Sequence, residues 1–325
     1  MAGRRGRLGG TIFGIVLLWK AFQMHIPDGF LATPVWAALD VAVAPAVGYL
    51  ARRAQRGLEP AKVPLLGVMG AFVFAAQMIN FPVGLGTSGH LVGAALLAYT
   101  LGPAAAGVVL TAILTVQALV FQDGGVLALG ANVTNMAIAG MLAGYLPFHL
   151  WGTGRWRPQA IFFGGFLSVL VSAVLALGEL LLSGVTMPAP VLGVSLGLFA
   201  VSAVLEGAIT LGIMQALASI NPDFIRRPQL NGGRVLGWVG LAALLLAVAG
   251  VAVASAHPDG IWKLAGETGI ASHAKAVLGA PLADYQLGVL QSAWLRKAGA
   301  GLAGLALIYG ACMLCGKLLA RQRGA

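Results

Sequence analysis

The sequence is dominated by nine predominantly apolar runs that shorter polar segments separate. A bilayer interior offers the backbone no hydrogen-bond partners, so a chain crosses it only as helices or as a closed barrel. Runs of about 17 to 25 apolar residues have the length of a spanning helix. We therefore predict an all-α fold, a polytopic transmembrane helical bundle of about nine spans. The runs extend over Pro34–Leu50, Val63–Asn80, His90–Leu101, Ala104–Phe121, Val126–Phe148, Ile161–Leu182, Val191–Ser219, Val235–Ala254 and Ala298–Leu319.

The charged residues indicate how the bundle is oriented. Hydrophobic residues make up 59% of the chain and charged residues only 9%, which excludes an ordinary soluble domain. Basic residues concentrate in alternate connecting segments, whereas segments 81–89, 122–125 and 183–188 carry none and the stretch after Ala254 carries four. The positive-inside rule then predicts a mature N-terminus outside the cell (inner) membrane and a cytoplasmic C-terminus. The inside residues are Arg52, Arg53, Arg56, Lys62, Arg155, Arg157, Arg226, Arg227, Arg234, Lys317, Arg321 and Arg323.

This topology also accounts for the net charge of +10. No basic face with interleaved aromatic residues is exposed to a nucleic acid, so we expect no nucleic-acid partner. Membrane lipid is the surrounding partner that the composition predicts.

Residues 1–23 have the pattern of a cleavable export signal. Arg4, Arg5 and Arg7 form a basic region ahead of an apolar stretch, and cleavage after Gln23 would make Met24 the mature N-terminus. Two alternatives stay open: residues 1–23 remain as an uncleaved anchor, or translation starts at Met24. The second alternative gives the same mature terminus.

A terminus at Met24 would place a free amine beside the imidazole of His25. The amine, the backbone nitrogen between the two residues and a ring nitrogen of His25 can close fused chelate rings around one metal ion. Nitrogen ligands in a plane favour Ni(II) or Cu(II), with Co(II) nearby in affinity.

A glycine-rich outer loop, 80–90, ends on a second histidine, His90. Glycine lets the backbone of such a loop approach a small ligand closely. His90 would then complete the ligands as a fourth nitrogen donor, with Thr87 and Ser88 supporting the loop. The alternative is that His90 only packs or caps a helix.

A second outer turn places polar side chains at the edge of the predicted spans. Asp123, Asn132 and Asn135 are costly at membrane depth unless they are satisfied internally. Together with Asp28 they would orient a ligand or hold the N-terminal segment. Ordinary hydrogen bonding between helices is the alternative.

Three motifs carry a resemblance to a known family: the segments 24–31 and 86–93, and Asp123-Gly124-Gly125 followed by 128–132. They resemble the CbiM/NikM family, the substrate-capture components of energy-coupling factor transporters for cobalt and nickel. The resemblance implies a metal held by the amine of Met24, the backbone and ring nitrogens of His25, and the ring of His90. It also implies a transmembrane coupling subunit and cytoplasmic ATPase subunits as partners, and it assigns residues 24–230 to the capture domain.

The C-terminal part carries a second resemblance. Segments 255–261 and 281–285 resemble the PDGLE domain of NikN-type accessory components, with Ile261-Trp262 in place of the usual Leu-Glu pair. This implies an accessory domain at residues 231–325, with two spans and an outer loop. Its His257 and His273 would either assist metal delivery or lie solvated in the loop.

The sequence also bears on how transport is driven. No Gly-x-x-x-x-Gly-Lys-[Ser/Thr] phosphate loop is present, so ATP hydrolysis, if transport uses it, must belong to partner subunits. Ala38, Ala42 and Ala46 recur at fourfold spacing along the first span, which permits close packing against such a partner or against neighbouring helices of this chain. A secondary metal carrier that needs no partners is the alternative function. We expect no cofactor, because Ni(II) or Co(II) would be the transported ligand.

An intramembrane serine protease is the remote alternative, since Gly86-Thr87-Ser88-Gly89 matches a rhomboid-type motif. A serine nucleophile needs a histidine within hydrogen-bond reach, and no histidine falls in the middle of a predicted span. Cys312 and Cys315 lie one turn apart in the last span, where two small apolar side chains are a better interpretation than a redox pair.

Overall fold

A computed structural model describes residues 25–222, 233–255 and 257–321. Residues 1–24, which include the predicted signal and Met24, lie outside this part of the chain. The helices are α1 Thr33–Gly57, α2 Val63–Gln77, α3 Ala94–Leu101, α4 Pro103–Val116, α5 Leu129–Asn132, α6 Met141–Trp151, α7 Arg157–Leu182, α8 Ala189–Ile220, α9 Gly233–Val253, α10 Gly260–Thr268 and α11 Ala293–Arg321. Strands β1 Phe81–Gly84 and β2 Thr87–Gly89 form one hairpin.

The predicted all-α transmembrane fold is confirmed, but the count of nine spans is not. Seven helices of the described residues are long and apolar enough to cross a bilayer. The chain is therefore a multi-pass membrane protein. The seven are Thr33–Gly57, Pro60–Gln77, Pro103–Phe121, Gly154–Leu182, Ala189–Ile220, Gly233–Val253 and Ala293–Ala320.

Two of the predicted spans differ from the prediction for a local backbone reason. The run His90–Leu101 forms only the eight-residue α3, because Gly93 and Gly102 bracket it at φ values of 72° and 82°. The run Val126–Phe148 begins with an irregular turn and continues through α5, a π-helical stretch at Val133–Gly140 and α6. Such wide helical turns are rare and occur frequently at functional sites.

The predicted glycine-rich loop is a tight β-hairpin. Phe81 pairs with Gly89 and Pro82 with Ser88 in the antiparallel ladder. The turn residues Leu85 and Gly86 both have positive φ, 49° and 69°, as the twist of a two-residue hairpin turn requires. The hairpin brings Thr87, Ser88 and the following His90 to one end of the bundle.

Helix α2 lies at the centre of the bundle, where it packs against α4, α9 and α11. Glycines allow the close approach: a Cβ at Gly70 would lie 2.7 Å from Cys312 Sγ. Cys312 is buried and Cys315 half-buried, and both are free thiols. The two long C-terminal helices thus lie directly against the helix that leads into the hairpin.

Candidate metal site

The segment after Met24 packs against α5 and against the loop that joins α4 to α5. Asn132 binds both backbone groups of Ile26: its Oδ1 accepts from Ile26 N at 2.8 Å, and its Nδ2 donates to Ile26 O at 3.0 Å. Gly125 N also donates to Ile26 O, at 2.9 Å. Ile26 is completely buried. These contacts fix the backbone directly beside His25.

Asp28 holds the same segment from its other side. Its carboxylate accepts from the backbone N–H groups of Val126 at 3.0 Å and Leu127 at 2.7 Å. The close approach requires glycine at position 125, where a Cβ would lie 2.5 Å from Asp28 N. Asp28 and Asn132 therefore hold the N-terminal segment in place.

His25 and His90, the two histidines predicted as ligands, lie together in the interior. Their ring centroids are 5.6 Å apart, and each residue is only 2% exposed. Met24, the third predicted ligand residue, lies outside the described residues. Two histidines that are 65 positions apart in the sequence thus converge at one buried point next to the docked segment.

The hydrogen bonds of the two rings indicate which nitrogens carry protons. His90 Nδ1 lies 2.8 Å from Leu91 O, which can only accept, so Nδ1 carries the proton and Nε2 is the basic nitrogen. His25 Nδ1 lies 3.1 Å from Asp123 Oδ1, and His25 Nε2 is buried with no hydrogen-bond partner among the residues that the structure describes. A buried nitrogen without a partner is costly, and a metal ion would satisfy it.

The electrostatics keep His90 neutral. Burial, followed by the neighbouring His25, lowers the pKa of His90 to about 4. A neutral imidazole is the form that binds a metal. His90 thus needs to lose no proton to bind a metal at physiological pH.

The arrangement differs in one respect from the chelate that the family resemblance implies. A chelate ring that includes the backbone nitrogen of His25 closes through Nδ1, the ring nitrogen nearer the backbone. In the described structure Nδ1 is bonded to Asp123. Binding in that mode would exchange the Asp123 contact for the metal. Within the described ranges, no group of three or more His, Cys, Asp or Glu side chains is arranged to hold a metal.

The other predicted support residues have distinct contacts. Ser88 binds the C-terminal region: its N–H donates to Pro258 O at 2.8 Å and its Oγ to His257 O at 2.7 Å. Thr87 is buried beside it. Asn135 Nδ2 donates to Glu179 Oε2 at 2.8 Å, a bond between helices that does not involve the N-terminal segment.

The C-terminal region covers the site from outside the bundle. Lys275 N donates to Asp28 O at 3.0 Å, and Trp262 packs on Phe30 with centroids 5.3 Å apart. A pocket of about 50 Å³ opens beside His25 between these two regions. Its lining includes Asp28, Asp123, Trp262 and Lys275. His257 and His273 take part in this contact through their backbone carbonyls. The carbonyl of His257 accepts from Ser88 Oγ, and the carbonyl of His273 lies against Gly29.

Some residues around the site were not predicted from the sequence. Glu206 accepts from the N–H groups of Val92 and Gly93, at 2.8 Å each, directly after His90. Gln77, Gln117 and Tyr285 extend the polar contacts around Asp123. Buried amides inside apolar runs are the signal that would have pointed to Gln77 and Gln117. Glu206 is recognisable from the sequence as a carboxylate inside a predicted span, but its contact with the backbone after His90 is not.

Comparison with known proteins places this chain in the class of metal transport proteins. Residues 25–224 match CbiM, described as the cobalt uptake substrate-specific transmembrane region, and residues 233–321 match the PDGLE domain. The chain belongs to the CbiM family, with a CbiM/NikM-like region joined to a NikN-like PDGLE region.

Individual relatives agree with this assignment. A putative metal transport protein of Haloquadratum walsbyi is 39% identical over 204 residues, which cover 62% of this chain and 93% of the relative. The fused nickel transport protein NikMN of Rhodobacter capsulatus is 28% identical over 347 residues, which cover 93% of this chain and all of the relative. The crystal structure of a truncated transition metal transporter matches with a TM-score of 0.53 and 31% identity, covering 60% of this chain and 98% of that chain.

Proposed function

We propose that this protein captures Ni(II) or Co(II) from outside the cell through nitrogen ligands from Met24, His25 and His90. The observation that carries the proposal is the buried pair of histidine rings, with centroids 5.6 Å apart and with His90 held neutral. Neutral imidazoles suit Ni(II) and Co(II), whereas Mg(II) and Ca(II) prefer oxygen ligands. Asp28 and Asn132 would hold the N-terminal segment so that the amine of Met24 reaches the same point.

We further propose that the chain works as the substrate-capture component of an ATP-driven energy-coupling factor transporter in the cell (inner) membrane. The sequence has no phosphate loop of its own, so the energy would come from separate ATPase subunits through a transmembrane coupling subunit. Helix α1 is the least buried of the candidate spans, and its Ala38 and Ala42 are exposed. Small exposed residues at this spacing allow a partner helix to approach closely.

The contacts of the carboxylates inside the candidate spans favour this scheme over a secondary carrier. A proton-coupled carrier needs an intramembrane carboxylate that is free to exchange protons along the transport path. Glu206 is bonded to the backbone after His90, Asp40 to Gly130 N, and Glu179 to Asn135. Each of the three carboxylates therefore accepts a structural hydrogen bond and is not free to exchange protons along a transport path.

The first test combines N-terminal analysis with metal binding. Intact mass and N-terminal sequencing of the purified protein determine whether Met24 is the mature terminus. Ni(II) and Co(II) binding is then compared between wild type, His90→Ala and the control His149→Ala, whose side chain is exposed. The proposal expects a Met24 terminus and binding that is lost only in His90→Ala. Metal bound equally by a chain that begins at Met1, or by His90→Ala, would refute the ligand set.

The coupling scheme needs a separate test in cells. Metal uptake is measured with the chain expressed alone and together with its candidate ATPase and coupling subunits. Uptake that requires ATPase subunits with an intact phosphate loop supports the proposal. Equal uptake after disruption of those subunits would favour a secondary carrier.

A further inference from the structure

A large cavity opens at the end of the bundle that the basic residues predict to be cytoplasmic. Its volume is about 560 Å³, against about 50 Å³ for the pocket beside His25. It lies between the end of α1, the start of α2, the connection from α3 to α4 and the end of α6. None of the candidate metal-site residues that the structure describes lines it. The cavity is therefore separate from the candidate metal site.

The walls of this cavity carry positive charge. Arg53 lines it from α1, Lys62 from the turn before α2, and His149 from the end of α6, whereas the described lining contains no Asp or Glu. Arg53 Nη1 donates to the hydroxyl of Tyr49 at 3.3 Å, which uses one of the five N–H groups of the guanidinium. Lys62 Nζ lies 3.5 Å from Glu59 Oε1, and the Glu59 side chain is 58% exposed. Exposed ion pairs of this kind contribute little, so both cations are able to bind a further anion.

The start of α4 adds backbone donors to the same wall. Gly102 is the N-cap residue of α4, and no side chain caps the helix there. Ala104 and Ala105 line the cavity, and the N–H groups of the first helical turn have no acceptor within the helix. Such N–H groups, together with the positive end of the helix dipole, favour a phosphate group. They supplement the two charged side chains on the neighbouring walls.

The rest of the lining is largely apolar, and the cavity adjoins a lipid-facing surface. Leu58, Leu65 and Phe148 line its interior. On the neighbouring face of α6, Leu146 and Leu150 are more than half exposed, as expected of side chains that contact acyl chains in a multi-pass membrane protein. A phospholipid matches both the charged and the apolar parts of this lining, whereas a free phosphate ion matches only the charged part.

We propose that this cavity binds an anionic phospholipid of the cytoplasmic leaflet. The phosphate lies between Arg53, Lys62 and the first turn of α4, and an acyl chain follows the apolar wall that includes Leu58 and Phe148. Basic pockets between transmembrane helices on the cytoplasmic side bind headgroups of this kind. The bound lipid connects the inner ends of α1, α2 and α4. The proposal is independent of metal capture.

The test compares two double variants of the full-length protein that remove the same charge. Arg53→Gln with Lys62→Gln removes the two cations that line the cavity, and Arg52→Gln with Arg56→Gln removes two exposed cations of α1 that do not line it. Each protein is titrated in detergent with phosphatidylglycerol or phosphatidylcholine, and native mass spectrometry measures the fraction that carries lipid. Wild type should bind phosphatidylglycerol more tightly than phosphatidylcholine. Since each basic side chain near an anionic headgroup contributes about 5-fold to affinity, the first variant should bind phosphatidylglycerol about 30-fold more weakly and the control less than about 3-fold more weakly.

A charge-conserving exchange, Arg53→Lys with Lys62→Arg, should keep phosphatidylglycerol affinity within about 3-fold of wild type. Equal losses in the two double variants would show attraction to general surface charge and would overturn the proposal. Displacement of phosphatidylglycerol by millimolar inorganic phosphate would identify a free-anion site and would overturn it as well. If a helix of a coupling subunit occupies the cavity instead, the isolated chain should bind both lipids equally, and this result also overturns the proposal.

Discussion

Gly125→Ala is the substitution that most directly tests how the N-terminal segment is held. The new Cβ would lie 2.5 Å from Asp28 N and 2.8 Å from Pro27 C, both of them backbone atoms that no side-chain rotation can move. Ordinary contact begins at 3.4 Å, so the segment beside His25 must shift by about 0.9 Å. Metal–ligand distances tolerate only about 0.2 Å. The variant therefore cannot keep His25 in the place that the proposed metal site requires.

The size of the effect follows from the contacts that the shift disturbs. Overpacking costs about 1 to 3 kcal/mol and the loss of a hydrogen bond such as Gly125 N to Ile26 O about 1 kcal/mol, which gives about 2 to 4 kcal/mol. At about 1.4 kcal/mol per tenfold, Ni(II) affinity should fall by roughly 30-fold to 700-fold.

The assay is chelator competition on the purified protein, with Gly197→Ala as the control. A Cβ at Gly197 meets nothing within 4 Å, so this variant should bind as wild type does. Circular dichroism should remain helical in both proteins. Affinity within twofold of wild type in Gly125→Ala would refute the reasoning, and so would global unfolding, because the shift is confined to the docked segment.

Three further predictions follow from the same structure. Asn132→Ala removes both hydrogen bonds to Ile26 and should weaken Ni(II) binding by about 10-fold to 100-fold in chelator competition. Asn135→Ala, which affects only the bond to Glu179, should leave the affinity within twofold of wild type. Equal losses in the two variants would contradict the role of Asn132 in holding the N-terminal segment. Gly70→Ala should destabilise the protein by about 1 to 3 kcal/mol in thermal denaturation, because its Cβ would lie 2.7 Å from Cys312 Sγ. The control Gly48→Ala should not destabilise it, because a Cβ there meets nothing within 4 Å. An unchanged melting temperature in Gly70→Ala would be evidence against the close packing of α2 and α11. Since burial lowers the pKa of His90 from 6.5 to about 4, the unfolded chain takes up this proton first, so the metal-free protein should lose stability as the pH falls from about 6.5 to about 4. Melting temperatures across this range should change less in His90→Ala, and an identical slope would contradict the buried neutral state.

The long helices could be predicted because bilayer chemistry requires a long apolar run for each of them. The short α3 and the interrupted helix before α6 could not, because apolar content does not reveal where the backbone turns. Gly93 and Gly102 end α3 through positive φ values, and a glycine's φ depends on its tertiary surroundings. The same limit applies to the π-helical stretch at Val133–Gly140, which no hydropathy pattern specifies.

The candidate site likewise contains residues that could be predicted from the sequence and contacts that could not. His25, His90, Asp28 and Asn132 could be singled out because polar residues beside apolar runs need a partner or a ligand. Tyr285 could not be connected with Asp123, which lies 162 positions away and is brought near by the packing of the C-terminal region. Residue chemistry thus identified candidate ligands, while the contacts that orient them depend on tertiary structure.

The contact between Ser88 and the segment around Asp259 has a consequence for how the site responds to protein abundance. When two interacting regions belong to one polypeptide, their association is intramolecular, with an effective concentration that the connecting chain sets, typically in the millimolar range. If two separate polypeptides made the same contacts, the fraction of them bound to each other would depend on their expression levels. In this chain the fraction of candidate sites that carry their C-terminal cover is independent of the number of molecules in the membrane, because one polypeptide supplies both regions in a one-to-one ratio.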